Sequence, residues 1–335
     1  MNNYIDDIIK ESQKELKRIN RIRVNELIIK SIRNKKIVKN DRLFWPNAFI
    51  IYGLTMGSNI QEEVLKSKRI RNFDDALMIY VYMKNDNLFN RKRIEDLSHK
   101  MYTSLQKYSN DVIPYRETMK NEIFIDILGM VPPFLCLYGL KNNDKSIIDW
   151  AIMQYKEFIL NGFDSQTGLP FHVYNKETKE KKGIVGWGRS VGWILFGLSE
   201  CIECLKGSKY NSEYMQLLKY YKMIFESASL YIREDGGFSW QIISKEAHLD
   251  TSAVSMILLS LLTLKNKNII MSEYDNYIEK LLLCLNNNIK NGKVINCSAE
   301  CRGIGLYPQK YGSYAWSLGP TLCCLKIIKK LRQEG

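Results

Sequence analysis

Gly186-Trp187-Gly188-Arg189-Ser190-Val191-Gly192-Trp193 is the stretch from which the fold can be read. Two tryptophans flank an arginine, glycines separate them, and the apolar run Ile194-Leu195-Phe196-Gly197-Leu198 follows at once. That pattern predicts a helix that starts near Ser190 and buries the run in a core. The Trp-Gly-Arg end then lies in a loop at the helix N-terminus, where unpaired backbone N–H groups suit an anion. Arg189 adds a planar fork matched to a carboxylate, and Trp187 and Trp193 add flat apolar faces. The same residues would also serve a tight turn with core tryptophans and an arginine paired to a structural acid.

Two longer connectors resemble each other. Asp164-Ser165-Gln166-Thr167-Gly168-Leu169-Pro170-Phe171-His172 leads into the Trp-Gly-Arg stretch and its helix. Asp235-Gly236-Gly237-Phe238-Ser239-Trp240-Gln241 leads into Leu249-Asp250-Thr251-Ser252-Ala253 and a second helix. A fainter echo, Gly305-Leu306-Tyr307-Pro308 and then Gly312-Ser313-Tyr314-Ala315-Trp316, precedes a third. This is a helical-hairpin repeat in which an aromatic-rich loop precedes each inner helix. Helical patterns recur near Tyr4–Ile19, Val24–Ile32, Pro46–Leu54, Asp74–Met83, Ile94–Tyr108, Glu122–Leu140, Ile147–Leu160, Ser190–Leu205, Glu213–Leu230, Thr251–Leu264, Tyr274–Leu285 and Tyr314–Leu331. Alternating β-branched runs are scarce, so sheet is minor. About a dozen helices in such pairs close into a ring with the decorated loops at one end, where function concentrates. No Pro/Ser-rich linker divides the chain, and residues 1–335 read as one domain.

Composition narrows the classes. The chain is 45% hydrophobic and 25% charged, enough apolar content for a full core. No apolar segment is long enough to span a membrane, and the N-terminus is polar and mixed in charge, which reads as cytoplasmic. The net charge of +13 is compatible with an acidic partner. Its densest tract, Lys10 to Arg42, has apolar residues at helical spacing, so its cations read as a solvated helix face. No nucleic-acid-binding signature stands out. Cys201-Ile202-Glu203-Cys204 lacks a second pair at zinc-like spacing, and the three histidines are scattered, which argues against a metal site.

In order along the chain, these segments resemble the unsaturated glycuronyl hydrolases, glycoside hydrolase families 88 and 105. Asp126-Ile127-Leu128-Gly129-Met130-Val131-Pro132-Pro133-Phe134-Leu135 is similar to their Asp-Thr-Leu-Phe-Met-Ala-x-Pro-Phe-Leu segment. Asp164 to His172 resembles Asp-x-x-Thr-Gly-Leu-x-x-His, and Trp187 to Trp193 resembles Trp-Gly-Arg-Gly-Asn-Gly-Trp. Gly237 to Gln241 and Leu249 to Ala253 resemble Gly-Leu-Trp-x-Gln and Leu-Glu-Thr-Ser-Ala, and Asn72-Phe73-Asp74-Asp75 resembles an earlier acidic segment. The resemblance runs from about Trp45 to the C-terminus; each motif is weak alone and their order is the specific part.

The resemblance implies an all-α (α/α)6 barrel, a six-hairpin toroid, with its site at one end. It implies hydrolysis of oligosaccharides whose non-reducing end is a 4,5-unsaturated uronic acid, with unsaturated galacturonyl-rhamnose the first expectation, and no metal or organic cofactor. Asp126 matches the general acid/base, and its apolar neighbours would favour the protonated form by desolvation. Asp74 matches the second acidic position, with Asp75 as the alternative register; Asp74 would also serve as a helix N-cap. His172 would bind the sugar or orient water. Arg189 would meet the uronate carboxylate or a hydroxyl, with Trp187 and Trp193 stacked on the sugar and Trp240 and Gln241 at the rim. Trp316 reads as packing that closes the ring. Three departures bear on activity: Ser190 and Val191 replace the usual glycine and asparagine, Gly129 replaces a bulky aromatic and would open space beside Asp126, and Asp250 stands where glutamate is common. An ordinary glycosidase using Asp126 and Asp74 as its carboxylate pair, and a non-catalytic binder of acidic glycans or nucleic acid, stay open as alternatives.

Overall fold

The computed structural model describes residues 2–19, 45–56, 70–108 and 111–334. The expected helix Val24–Ile32 and most of the basic tract Lys10 to Arg42 lie outside the described residues. In chain order the helices are α1 (Asn2–Ile19), α2 (Trp45–Thr55), α3 (Ala76–Lys84), α4 (Arg91–Tyr108), α5 (Val131–Asn142), α6 (Lys145–Gly162), α7 (Gly188–Leu205), α8 (Asn211–Ser229), α9 (Thr251–Asn266), α10 (Asp275–Asn287) and α11 (Ala315–Glu334).

Six of these form an inner ring: α2 packs on α3, then α5, α7, α9 and α11 follow, and α11 returns to α2. Outside it, α1 covers α11 and α2, α4 covers α3, α6 covers α5, α8 covers α7, and α10 covers α9. The molecule is an (α/α) toroid. Sequence character sorts the two layers. In α3, Ala76 through Met83 are all buried, and so are all eleven residues of α2, because an inner helix meets protein on every side. In α4 only Ile94, Leu97, Ser98, Met101 and Leu105 are buried, at the three- and four-residue spacing of a single stripe. Each large apolar side chain moved from water into this core contributes about 1.5–3 kcal/mol. The ring closes where α2 crosses α11 at glycines: a β-carbon on Gly53 would stand 2.9 Å from the Gly319 carbonyl oxygen, and one on Gly319 would overlap the Phe49 backbone.

Two boundaries differ from the sequence expectation. Glu122–Leu140 is not one helix. It divides into a strand, β1 (Glu122–Phe124), a 3₁₀ turn (Ile125–Gly129) and α5, which starts at Val131 with Pro132 and Pro133 in its first turn. Proline is tolerated there because a first-turn N–H has no intrahelical acceptor, whereas mid-helix it would remove a bond. The helix expected near Ser190 starts at Gly188, so Arg189 stands in its first turn rather than in a loop.

Sheet is confined to the loop end. Strand β1 pairs antiparallel with β2 (Phe171–Asn175), which pairs with β3 (Lys181–Val185). Two short ribbons follow, β4 (Ile289–Lys290) with β5 (Lys293–Val294), and β6 (Cys297–Ser298) with β7 (Tyr311–Gly312). No helix among the described residues is long and apolar enough to cross a membrane.

Candidate active site

The three-stranded sheet brings the acid and the histidine together. Phe124 pairs with Val173, which places Asp126, just past β1, beside His172 on β2. The β2–β3 register shifts between Phe171 and Val173, and such an irregularity turns a side chain away from the regular pleat. His172 Nε2 lies 3.1 Å from Asp126 Oδ2, and His172 Nδ1 lies 2.9 Å from the Tyr307 hydroxyl. Trp187 packs on the imidazole at 4.6 Å between centroids, and Phe124 meets it edge-on at 5.2 Å. Asp126 keeps 17% of its side chain exposed while its neighbours Ile125 and Ile127 turn into the core.

Asp126 and His172 line a cavity of about 180 Å³ at the loop end of the ring. Its wall includes Trp187 and Arg189 from the head of α7, Trp45 from the head of α2, Tyr115 and Phe124. The segment Glu300–Gly303 forms the facing edge. A larger cavity of about 510 Å³ opens at the other end of the ring, among the C-terminal ends of α2, α3, α7, α9 and α11. It contains none of the residues expected to do chemistry, so size does not identify the site here.

Arg189 is 3% exposed and held from three sides. Nη1 donates to the Ser298 carbonyl (3.0 Å) and hydroxyl (2.9 Å), and Nη2 donates to the Ala299 carbonyl (3.0 Å). Trp187 and Trp316 lie against its two faces at 4.6 and 5.4 Å. Asp250 fixes the other side of Ser298, accepting its N–H at 3.0 Å and its hydroxyl at 2.6 Å, and Trp316 Nε1 donates to the Ser298 carbonyl. The shorter acid at position 250 therefore still reaches its partners. The Nε–H of Arg189 and one Nη2 hydrogen make no bond among the described residues, and Arg189 is part of the cavity wall. The anion site expected on the backbone at this helix start is not free: the Gly188 N–H donates to the Trp240 carbonyl at 2.7 Å.

Asp74 does not line the cavity. It is buried and gripped by Arg116, with Nη1–Oδ1 at 2.7 Å and Nη2–Oδ2 at 3.0 Å. Burial pushes its carboxyl above the usual value, and the Arg116 charge opposes that. Tyr115 stands between Asp74 and the cavity, its ring 4.0 Å from the Arg116 guanidinium. Asp75 accepts the N–H groups of Arg71 (2.6 Å) and Asn72 (3.2 Å) and does not line the cavity either.

Two further expectations are corrected. Trp193 is fully buried among Trp45, Phe49 and Phe196 and does not line the cavity, so it cannot stack on a sugar. Gln241 pairs by backbone with Trp187 but lies outside the cavity lining. Trp240 lines a narrow side cleft that shares Trp187, Arg189 and Cys301 with the main cavity, a position at its edge. The sequence reading did not single out Tyr115, Arg116, Tyr307, Glu300 or Arg302. Tyr115 and Arg116 follow a Pro114 in a loop with no helical period, and only their nearness in sequence to Asp126 hinted at them.

The profile of glycosyl hydrolase family 88 matches residues 46–328. The chain belongs to this family. Solved structures share its fold. A possible member of glycoside hydrolase family 105 from Klebsiella pneumoniae superposes with a TM-score of 0.81 at 15% identity, covering 100% of this chain and 94% of that one. A family 88 glycosyl hydrolase from Bacteroides vulgatus gives 0.67 at 14% identity over 96% and 99%. The unsaturated glucuronyl hydrolase of Bacillus sp. GL1, responsible for glycosaminoglycan degradation, gives 0.62 at 14% over 89% of each chain. This family 88 protein is thus a glycoside hydrolase whose cavity holds Asp126, His172, Trp187 and Arg189 together.

Proposed function

We propose that this hydrolase acts on oligosaccharides that end in a 4,5-unsaturated uronic acid, by hydration of the ring enol ether. The observation that carries the reading is the shared cavity of Asp126, His172 and Arg189. The uronate carboxylate meets the unbonded N–H groups of the Arg189 fork, and the sugar face lies on Trp187. Asp126 gives its proton to C4. The C4–C5 π electrons form the new C–H bond, and positive charge develops at C5, shared with the ring oxygen. The Asp126 carboxylate then takes a proton from water as that water bonds to C5. The resulting hemiketal opens and releases the aglycone. One water is consumed and Asp126 regains its proton. His172 holds Oδ2 throughout, while Oδ1 makes no hydrogen bond within the described residues and is the oxygen available to the substrate.

Unsaturated galacturonyl-rhamnose is the first substrate to test, and unsaturated glucuronyl sugars follow. An ordinary glycosidase built on Asp126 and Asp74 fits less well, because Asp74 lies outside the cavity with its charge met by Arg116. The direct test follows the ultraviolet absorbance of the conjugated enol-ether carboxylate over a panel of lyase-generated disaccharides. Loss of absorbance with wild type but not with Asp126→Asn supports the reading. Intact absorbance with folded wild type on every member, across several pH values, overturns it.

A further inference from the structure

Tyr307 comes from the long connector before α11, far in sequence from Asp126 and His172, yet its hydroxyl lies 2.9 Å from His172 Nδ1. The surroundings of that oxygen decide the direction of the bond. It accepts the Ile184 N–H at 3.3 Å. Among the described residues Nδ1 is the one acceptor within hydrogen-bond distance of the hydroxyl, so its proton is directed toward Nδ1. Burial holds the phenol in its neutral form, so that proton is present. The ring is kept in place by contacts with His172, Trp187 and Trp240 at 5.6, 5.6 and 6.0 Å between centroids.

We infer that Tyr307 is a positioning residue for the hydrolase, fixing the tautomer of His172: the Tyr307 O–H donates to Nδ1, so the ring proton sits on Nε2 and faces Asp126. A neutral imidazole carries one N–H, and an acceptor at Nδ1 forces it to Nε2. Nε2–H then donates to Asp126 Oδ2. Two consequences follow for the acid. When Asp126 is protonated, its proton resides on Oδ1, because Oδ2 already accepts a hydrogen bond. When Asp126 has given its proton away, Nε2–H steadies the carboxylate until water resupplies it. The opposite tautomer would have Nε2 accepting a hydrogen bond from a protonated Oδ2, which would direct the acid's proton at His172 instead of the substrate. The chemical part of this inference rests on the hydration reading above; the tautomer itself does not.

The test is nitrogen NMR on the full chain with its three histidines labelled with ¹⁵N, His172 being assigned by the signal lost in His172→Asn. Wild type is expected to show a protonated Nε2 and an unprotonated Nδ1 for His172. Tyr307→Phe keeps the ring and removes the donor, and in it the single tautomer is expected to give way to a mixture. With an unsaturated disaccharide, Tyr307→Phe is expected to lower kcat about tenfold with KM within about twofold of wild type, since the lost effect bears on proton transfer rather than binding. A wild-type His172 protonated at Nδ1 overturns the inference without any variant. So does a Tyr307→Phe protein with unchanged tautomer and unchanged kcat. If wild type turns over no substrate, the nitrogen spectra still decide the inference while the hydration reading falls.

Discussion

The indole ring of Trp193 occupies the place where Gly129 lacks a side chain. A β-carbon on Gly129 would overlap that ring and stand 2.8 Å from the Trp193 carbonyl oxygen. The glycine three residues after Asp126 therefore opens no space in the site. It admits a core tryptophan beneath the 3₁₀ turn that carries the acid, and the turn rests on that ring. Gly129→Ala is expected to cost about 1–3 kcal/mol in denaturant unfolding, the usual penalty for overfilling a packed core. A stability equal to wild type would show that the turn can shift without loss.

Asp126→Asn is expected to lower kcat roughly 100- to 10,000-fold, the range for removing a general acid, with KM changed only a few-fold. The amide still accepts a hydrogen bond from His172, so the fold is kept. Steady-state rates on an unsaturated disaccharide, with circular dichroism as the control, check this. A fall in affinity with kcat preserved would assign Asp126 to binding.

Arg116→Ala leaves the buried Asp74 carboxylate without its counter-charge, which is expected to cost about 3–5 kcal/mol. Asp74→Asn combined with Arg116→Ala should recover part of that loss, because no buried charge is left uncompensated. A double-mutant cycle by chemical denaturation measures the coupling. Additive single effects would mean that water replaces the ion pair at no cost.

Asp75 gives a pH dependence of defined sign. Burial pushes its carboxyl up to about 7, against the two backbone N–H groups that favour its charge. Below that value the folded protein holds a proton that the unfolded chain, with an ordinary carboxyl near 4, has released. The folded state thus binds more protons between about pH 4 and 7, and this contribution to stability declines as pH rises through that window. Asp75→Asn should flatten that part of the curve of unfolding free energy against pH. An unchanged slope would assign the pH dependence to other groups.

Arg189→Lys keeps a positive charge and removes the fork. The Ser298 carbonyl would keep Trp316 Nε1, but the Ala299 carbonyl would lose its donor, and a buried carbonyl without a partner costs about 1–3 kcal/mol. Both a lower melting temperature and a raised KM for uronate-ended substrates are expected. A variant with wild-type KM would separate Arg189 from carboxylate recognition.

The toroid was legible because its signal is local. An inner helix such as α9, with Thr251 to Leu264 all buried, announces itself by apolar residues on every face, interrupted only by small serines and threonines. The Asp126–His172 contact was partly legible, since the family motifs name both residues, but their spacing came from a sheet that composition does not reveal. Glu122 to Leu140 reads as one helix because Ile123, Phe124, Ile125, Ile127 and Leu128 are apolar either way; a short buried run does not distinguish strand from helix. Trp187 and Trp193 look equivalent in sequence and end on opposite sides of the head of α7. The first caps the helix at the cavity, and the second, nearly two turns on, faces the core. The loop of Tyr307 was legible as an echo of the aromatic connectors, but its contact with His172 and the place of Glu300–Gly303 were not, because a connector without periodicity shows no sign of where it folds back.

The crossing of α2 and α11 bears on when the protein becomes competent during its own synthesis. Trp45 at the head of α2 and Trp316 at the head of α11 pack 5.4 Å apart, and Trp316 in turn supports Arg189 and Ser298. One edge of the cavity thus comes from an early inner helix and its support from the last one. A ribosome-bound chain that has not yet released α11 has Asp126 and His172 in hand but no completed arginine cradle. Nascent chains arrested before Ala315 should therefore bind no uronate, and competence should arrive in a single step as the final helix emerges and docks.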